Sequence, residues 1–69
     1  MGVICKLTQY TNGVQQQTKT RHLTLGEFAR AVAAAERGKD TMLSWNGDTV
    51  TIEYYNKEIG CGSHEVYSL

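Results

Sequence analysis

Thr11-Asn12-Gly13-Val14 and Trp45-Asn46-Gly47-Asp48 decide the fold of this chain. Each Asn-Gly lies between runs of strand-forming residues. Asn-Gly is the strongest short-range hairpin signal, because a type I′ turn needs φ > 0 at both central residues. One such turn stands on each side of a helix signal, so the plan reads hairpin, helix, hairpin. Treated as two-residue loops, the turns also set register, and register decides which side chains share a face.

With Asn12-Gly13 as the loop, Thr11 faces Val14, Leu7 faces Thr18, Lys6 faces Lys19 and Ile4 faces Arg21. The expected inward face then holds Val3, Cys5, Leu7 and Val14, with Gln16, Thr18, Thr20 and His22. The expected outward face holds Ile4, Lys6, Thr8 and Tyr10, with Gln15, Gln17, Lys19 and Arg21. In the second hairpin the same rule pairs Trp45 with Asp48, Leu43 with Val50 and Thr41 with Ile52. Leu43, Trp45, Val50, Ile52 and Tyr54 form the core face, and Met42, Ser44, Thr49, Thr51, Glu53 and Tyr55 the other.

Thr24-Leu25-Gly26-Glu27 is a capping box, and Leu23 and Phe28 stand at the positions of a hydrophobic staple. Five alanines between positions 29 and 35 favour helix. The apolar stripe reads Leu25, Phe28, Ala29, Val32 and Ala35. Gly38 is expected to end the helix in the left-handed region, with Arg37 and Lys39 complementing the dipole. Asn56-Lys57 and Gly60-Cys61-Gly62 read as turns, and residues 65–69 as a short last strand. The expected fold is a single α+β domain over residues 1–69: an antiparallel four- to five-stranded sheet with one helix packed on one face. Its order is β-β-α-β-β with a short terminal strand.

A chain of 69 residues buries a thin core, which favours a binding surface over a deep, strained active site. Net charge is zero but uneven: residues 1–23 carry Lys6, Lys19 and Arg21 and no acid. Residues 41–69 carry Lys57 against Asp48, Glu53, Glu58 and Glu65. The molecule is therefore electrically dipolar, a property that bears on partners and encounter. No run approaches the roughly 20 apolar residues of a membrane span. Residues 1–6 lack the basic and apolar regions of a signal peptide, so a cytoplasmic location with Cys5 and Cys61 reduced is expected.

Two surfaces are candidate binding sites. Lys6, Lys19 and Arg21, with Tyr10, Gln15 and Gln17, would gather cations, a stacking ring and amide groups on one outward face. That set suits a nucleic-acid backbone or an acidic protein patch. The same lysines equally suit a solvated hairpin face that discourages edge pairing. Glu53, Glu58 and Glu65, with Tyr55 among them, would suit a basic groove on another protein, or serve solubility alone. Cys61-Gly62-Ser63-His64 sets a thiol three residues from an imidazole, but paired zinc-ligand spacing is missing. Phosphate-loop, dinucleotide and zinc-protease motifs are missing too. No catalytic, cofactor or metal site is expected, and the chain reads as a non-enzyme.

In its size, its α+β plan and its lack of a catalytic motif, the chain resembles the small proteins that phages encode to inhibit host defence, anti-CRISPR proteins among them. The resemblance implies a non-enzymatic inhibitor that binds a larger nucleic-acid-handling complex by protein–protein contact. The alternative is a small nucleic-acid-binding module acting through the basic first hairpin. A last strand left exposed at a sheet edge would also admit a second copy of the chain.

Overall fold

The computed structural model describes residues 2–69. Strand β1 (Gly2–Thr11) is followed by β2 (Val14–Gln15) and β3 (Lys19–Thr24), then helix α1 (Leu25–Arg37). Strands β4 (Thr41–Asn46), β5 (Thr49–Asn56) and β6 (Cys61–Ser68) complete the chain. All pairings are antiparallel, in the order β2-β1-β6-β5-β4, with β3 beside β1 on the edge that β2 also occupies. The domain is α+β, and α1 packs on one face of the sheet against β4, β3 and β1.

The core is Val3, Cys5, Leu23, Phe28, Ala35, Val50, Ile52 and Tyr67. Burying a large apolar side chain among these contributes about 1.5–3 kcal/mol. Thr24 caps α1 with a complete capping box: its hydroxyl accepts from Glu27 N–H at 3.1 Å, and Glu27 Oε1 accepts from Thr24 N–H at 3.0 Å. The staple residues Leu23 and Phe28 are both buried. On the helix, Phe28 and Ala35 are buried and Ala31 and Val32 half-buried, while Leu25 and Ala29 of the expected stripe are exposed.

Asn12 and Gly13 both have positive φ, 53° and 78°, as a type I′ turn requires, and Thr11 pairs with Val14 as expected. Beyond Gln15 the register departs from expectation. Residues 16–18 stand opposite only Thr8 and Gln9, a bulge of one extra residue. Gln16 N–H donates to Gln9 O at 2.7 Å, and the Thr8 and Thr18 hydroxyls meet at 2.9 Å. From there Lys6 pairs with Thr20, Cys5 with Arg21 and Leu7 with Lys19. A one-residue slip reverses faces. Lys19 and Arg21 therefore turn to the helix side and Thr20 and His22 to the open side, while Leu23 enters the core beside Val3.

The second hairpin also differs, without that consequence. Asn46 pairs with Thr49, so Gly47-Asp48 is the loop. Only Gly47 has positive φ there (61°), which fits a type II′ turn with glycine first. Trp45 pairs with Val50 and Leu43 with Ile52, two residues away from expectation. A slip of two preserves faces, so Leu43, Trp45, Val50, Ile52 and Tyr54 keep the helix side. Trp45 meets Phe28 edge-on at 6.3 Å while more than half exposed.

The last strand is longer and better placed than expected. β6 spans eight residues and is central, paired with β1 on one side and β5 on the other. Exposed-edge pairing of the chain's last strand with a second copy is thereby excluded. Cys61 and Gly62 are strand residues, and the positive-φ turn residue is Gly60 (66°). Gly62 is in the strand for want of space: a Cβ there would lie 2.5 Å from Tyr54 O and 3.0 Å from the Tyr55 ring. Gly38 is likewise not left-handed; its φ is −76°, and a Cβ would come within 2.7 Å of Thr41 Oγ1. Asp40, φ 56°, takes the positive-φ position instead.

Candidate functional site

Alternation along the strands gives the sheet a face that α1 does not cover. Across it run four cross-strand rows. Gln15, Tyr10, Gly62 and Tyr55 form the first, and Thr8, His64, Glu53 and Met42 the second. Thr20, Lys6, Val66, Thr51 and Ser44 form the third, and His22, Ile4, Ser68, Thr49 and Asn46 the fourth. The face is mostly small polar side chains around Ile4, Tyr10, Met42, Tyr55 and Val66. Ile4, Met42 and Tyr55 are each more than 40% exposed. Lys6 and Glu53 are its fixed charges.

In the first row a glycine separates two tyrosines. With no side chain at Gly62, the Tyr55 ring comes down over the backbone, and Tyr10 stands on the other side of the gap. A cleft of about 280 Å³ opens there, edged by Tyr10, Asp40, Met42, Glu53, Tyr55 and His64. It is small for a site that swallows a drug-sized ligand, typically about 300–1,000 Å³. It is the size of a seat for one projecting side chain. His64 Nδ1 lies 3.9 Å from Glu53 Oε1, so the imidazole belongs to this rim.

The sequence-derived binding residues divide between surfaces. Lys6, Tyr10, Gln15, Glu53 and Tyr55 do share the open face. Lys19 and Arg21 do not: the bulge turns them to the helix side, and Gln17 lies within the bulge itself. The opposed Lys6–Lys19 pair does not form. Glu58 sits in the β5–β6 turn, where its N–H donates to Asn56 Oδ1 at 3.0 Å. Glu65 lies on the helix side, accepting from the buried Tyr67 hydroxyl at 2.7 Å. The acidic residues thus form no single patch, because alternate residues of β5 and β6 point to opposite faces.

Cys61 and His64 differ by an odd number of strand residues and so occupy opposite faces of β6. The thiol contacts Ile59 O at 3.5 Å while the imidazole faces Glu53. A thiolate–imidazole pair or shared metal ion is excluded by that geometry. Among the described residues no group of three or more His, Cys, Asp and Glu side chains is placed to hold a metal ion. Both cysteines are free. Cys5 pairs with Tyr67, and Cys61 pairs six positions along with Thr11, which at about 3.3 Å per residue sets them roughly 20 Å apart, too far for a disulfide. Burial pushes the Cys5 thiol above its ordinary pKa. Among the described residues no helix is long and apolar enough to cross a membrane.

Sequence reading set Ile4 on the face of Tyr10 and Met42 on the face of Tyr55, but it did not join the two faces and missed Val66 and His64 between them. The position of β6 between β1 and β5 brings them together, and residue spacing carries no signal of strand order. No protein-family model, curated protein or solved structure matches the chain.

Proposed function

We propose that the protein is a non-enzymatic binding module that inhibits or modulates a larger nucleic-acid-handling complex by protein–protein contact, made through the open face of the sheet. The observation that carries this reading is the composition of that face. Tyr10, Tyr55, Met42 and Ile4 stand among polar residues, with Lys6 apart from the other charges and Glu53 beside His64 and Asp40 at the cleft. Protein interfaces are enriched in Tyr and Met and depleted of charge at their centre. The partner surface this face fits is flat, with one projecting side chain seated between Tyr10 and Tyr55 near the Asp40 and Glu53 carboxylates. The resemblance to phage inhibitors of host defence supplies the class of partner. Direct nucleic-acid binding has less support, since Lys6 stands on one face and Lys19 and Arg21 on the other.

Capture from a host lysate with the tagged chain tests this reading, with Tyr55→Glu and Arg30→Glu run beside it. The expected result is a nucleic-acid-handling complex captured by the unaltered chain and by Arg30→Glu, and lost with Tyr55→Glu. Retention by Tyr55→Glu, or loss with Arg30→Glu, would overturn the open face as the contact surface.

A further inference from the structure

The two edges of the sheet are built differently. The β2–β3 edge is broken by the bulge at residues 16–18, split into pieces of two and six residues, and carries Lys19 and Arg21. Bulges, short strands and cations are the usual means of keeping an edge from pairing with another chain. The β4 edge has none of them. Thr41-Met42-Leu43-Ser44-Trp45-Asn46 is unbroken, has no charge and no proline, and has β5 on one side only. Its two largest side chains are exposed on opposite faces, Met42 at 68% and Trp45 at 58%. Residues of an antiparallel strand alternate in bonding one neighbour and then the other, so half of the β4 backbone groups have no strand beside them.

We propose that β4 is the surface on which two copies of this chain pair, edge to edge and antiparallel about Ser44, into one continuous sheet. A second copy is the occupant the edge itself specifies. β4 is uncharged, so pairing it with itself sets no like charges in opposition. An isologous pair also uses up both bare edges at once and leaves only the guarded β2–β3 edges outside. Parity restricts the register. A two-fold axis through the joined edge stands perpendicular to the sheet, so directly opposed residues share a face and their numbers sum to an even value. Centred on Ser44, this sets Leu43 against Trp45 of the other copy, twice, on the helix side. Met42 falls against Asn46 on the open side. Both open faces then lie on the same side of the joined sheet.

Sedimentation equilibrium at high micromolar concentration, with Ser44→Lys and His22→Lys as variants, reads the association. The expected result is twice the chain mass for the unaltered protein and for His22→Lys, with association weakened about tenfold or more in Ser44→Lys by like charges at the axis. The register is read separately by Ser44→Cys on a Cys61→Ser background. Residues directly opposed across antiparallel strands have Cα atoms about 4.5–5.5 Å apart, within disulfide range, so mild oxidation gives a covalent dimer. A monomer at all concentrations, or a dimer indifferent to Ser44→Lys, would overturn the proposal. Failure of Ser44→Cys to cross-link in a proven dimer would overturn the register.

Discussion

The Tyr67 hydroxyl donates to Glu65 Oε2 at 2.7 Å, from two residues further along the same face of β6. The Tyr67 ring is 2% exposed and lies 5.4 Å from Phe28, so this bond ties the edge of the core to the one acidic group on the helix side of β6. Burial above all, then the bond to Glu65 and its charge, push the phenol pKa up. The folded chain therefore holds this proton to higher pH than the unfolded chain. The stabilisation is complete below the unfolded tyrosine value of about 10 and is lost as pH rises beyond it. Urea unfolding between pH 7 and 11 should show an alkaline loss whose slope approaches about 1.4 kcal/mol per pH unit for this proton. Tyr67→Phe should flatten that limb and cost about 1 kcal/mol at neutral pH. An unchanged alkaline limb in Tyr67→Phe would contradict the assignment.

The helix start offers a second test. Bonds from Thr24, its backbone N–H first, hold the Glu27 carboxyl below the usual range. The support it lends is present above the unfolded carboxylate value and is lost as pH falls through the lowered one. Thr24→Ala should cost about 1 kcal/mol by chemical unfolding. Glu27→Gln should differ from the unaltered chain at neutral pH and converge with it in acid. A difference that persists unchanged into acid would argue against the capping carboxylate.

Two glycines should respond differently to alanine. At Gly62 the new Cβ would meet the backbone oxygen of Tyr54 at 2.5 Å, and backbone in a central strand has nowhere to go. Gly62→Ala should cost about 1–3 kcal/mol, as overpacking does, and lift the Tyr55 ring from its seat. At Gly38 the nearest atom is the Thr41 hydroxyl, which can rotate, so Gly38→Ala should cost less. Thermal unfolding of the two variants ranks them, and the reverse ranking would contradict the space argument.

The bulge is tested by removing it. Deleting Gln17 leaves two residues opposite Thr8 and Gln9, which closes the ladder from Asn12-Gly13 without a bulge and keeps Leu23 opposite Val3 in the core. The expected cost is therefore small, well short of the loss from an emptied leucine site, about 2–5 kcal/mol. Gln17→Ala, which keeps the residue count, should be close to neutral. A loss of that size in the deletion, with Gln17→Ala neutral, would contradict a bulge of one extra residue at 16–18.

These particulars show what a sequence discloses and what it withholds. The α+β class, the capping box, the staple and the first turn were legible because each depends on neighbours a few residues apart. The faces of the second hairpin were legible despite a wrong loop, because an error of two preserves parity. The faces of β3 were not, because one residue inserted near Gln17 reverses them and polar Gln-Gln-Gln gives no hint where it goes. β6 was read as a short terminal strand because Gly62, Ser63 and His64 lack the apolar run of a central strand. Its centrality is enforced by pairing on both sides. Of the candidate site, Lys6, Tyr10, Gln15, Glu53 and Tyr55 were found from alternation alone. Val66 and His64 join them, and the faces of the two hairpins meet, only through strand order, which no local pattern encodes.

The most direct measurement is cross-saturation by nuclear magnetic resonance, from an unlabelled captured partner into the labelled chain. If the open face is the contact surface, saturation reaches the methyls of Ile4, Met42 and Val66 and leaves those of Ala29 and Ala33 on the exposed side of α1 untouched. Saturation of Ala29 and Ala33 with Ile4, Met42 and Val66 unaffected would contradict it.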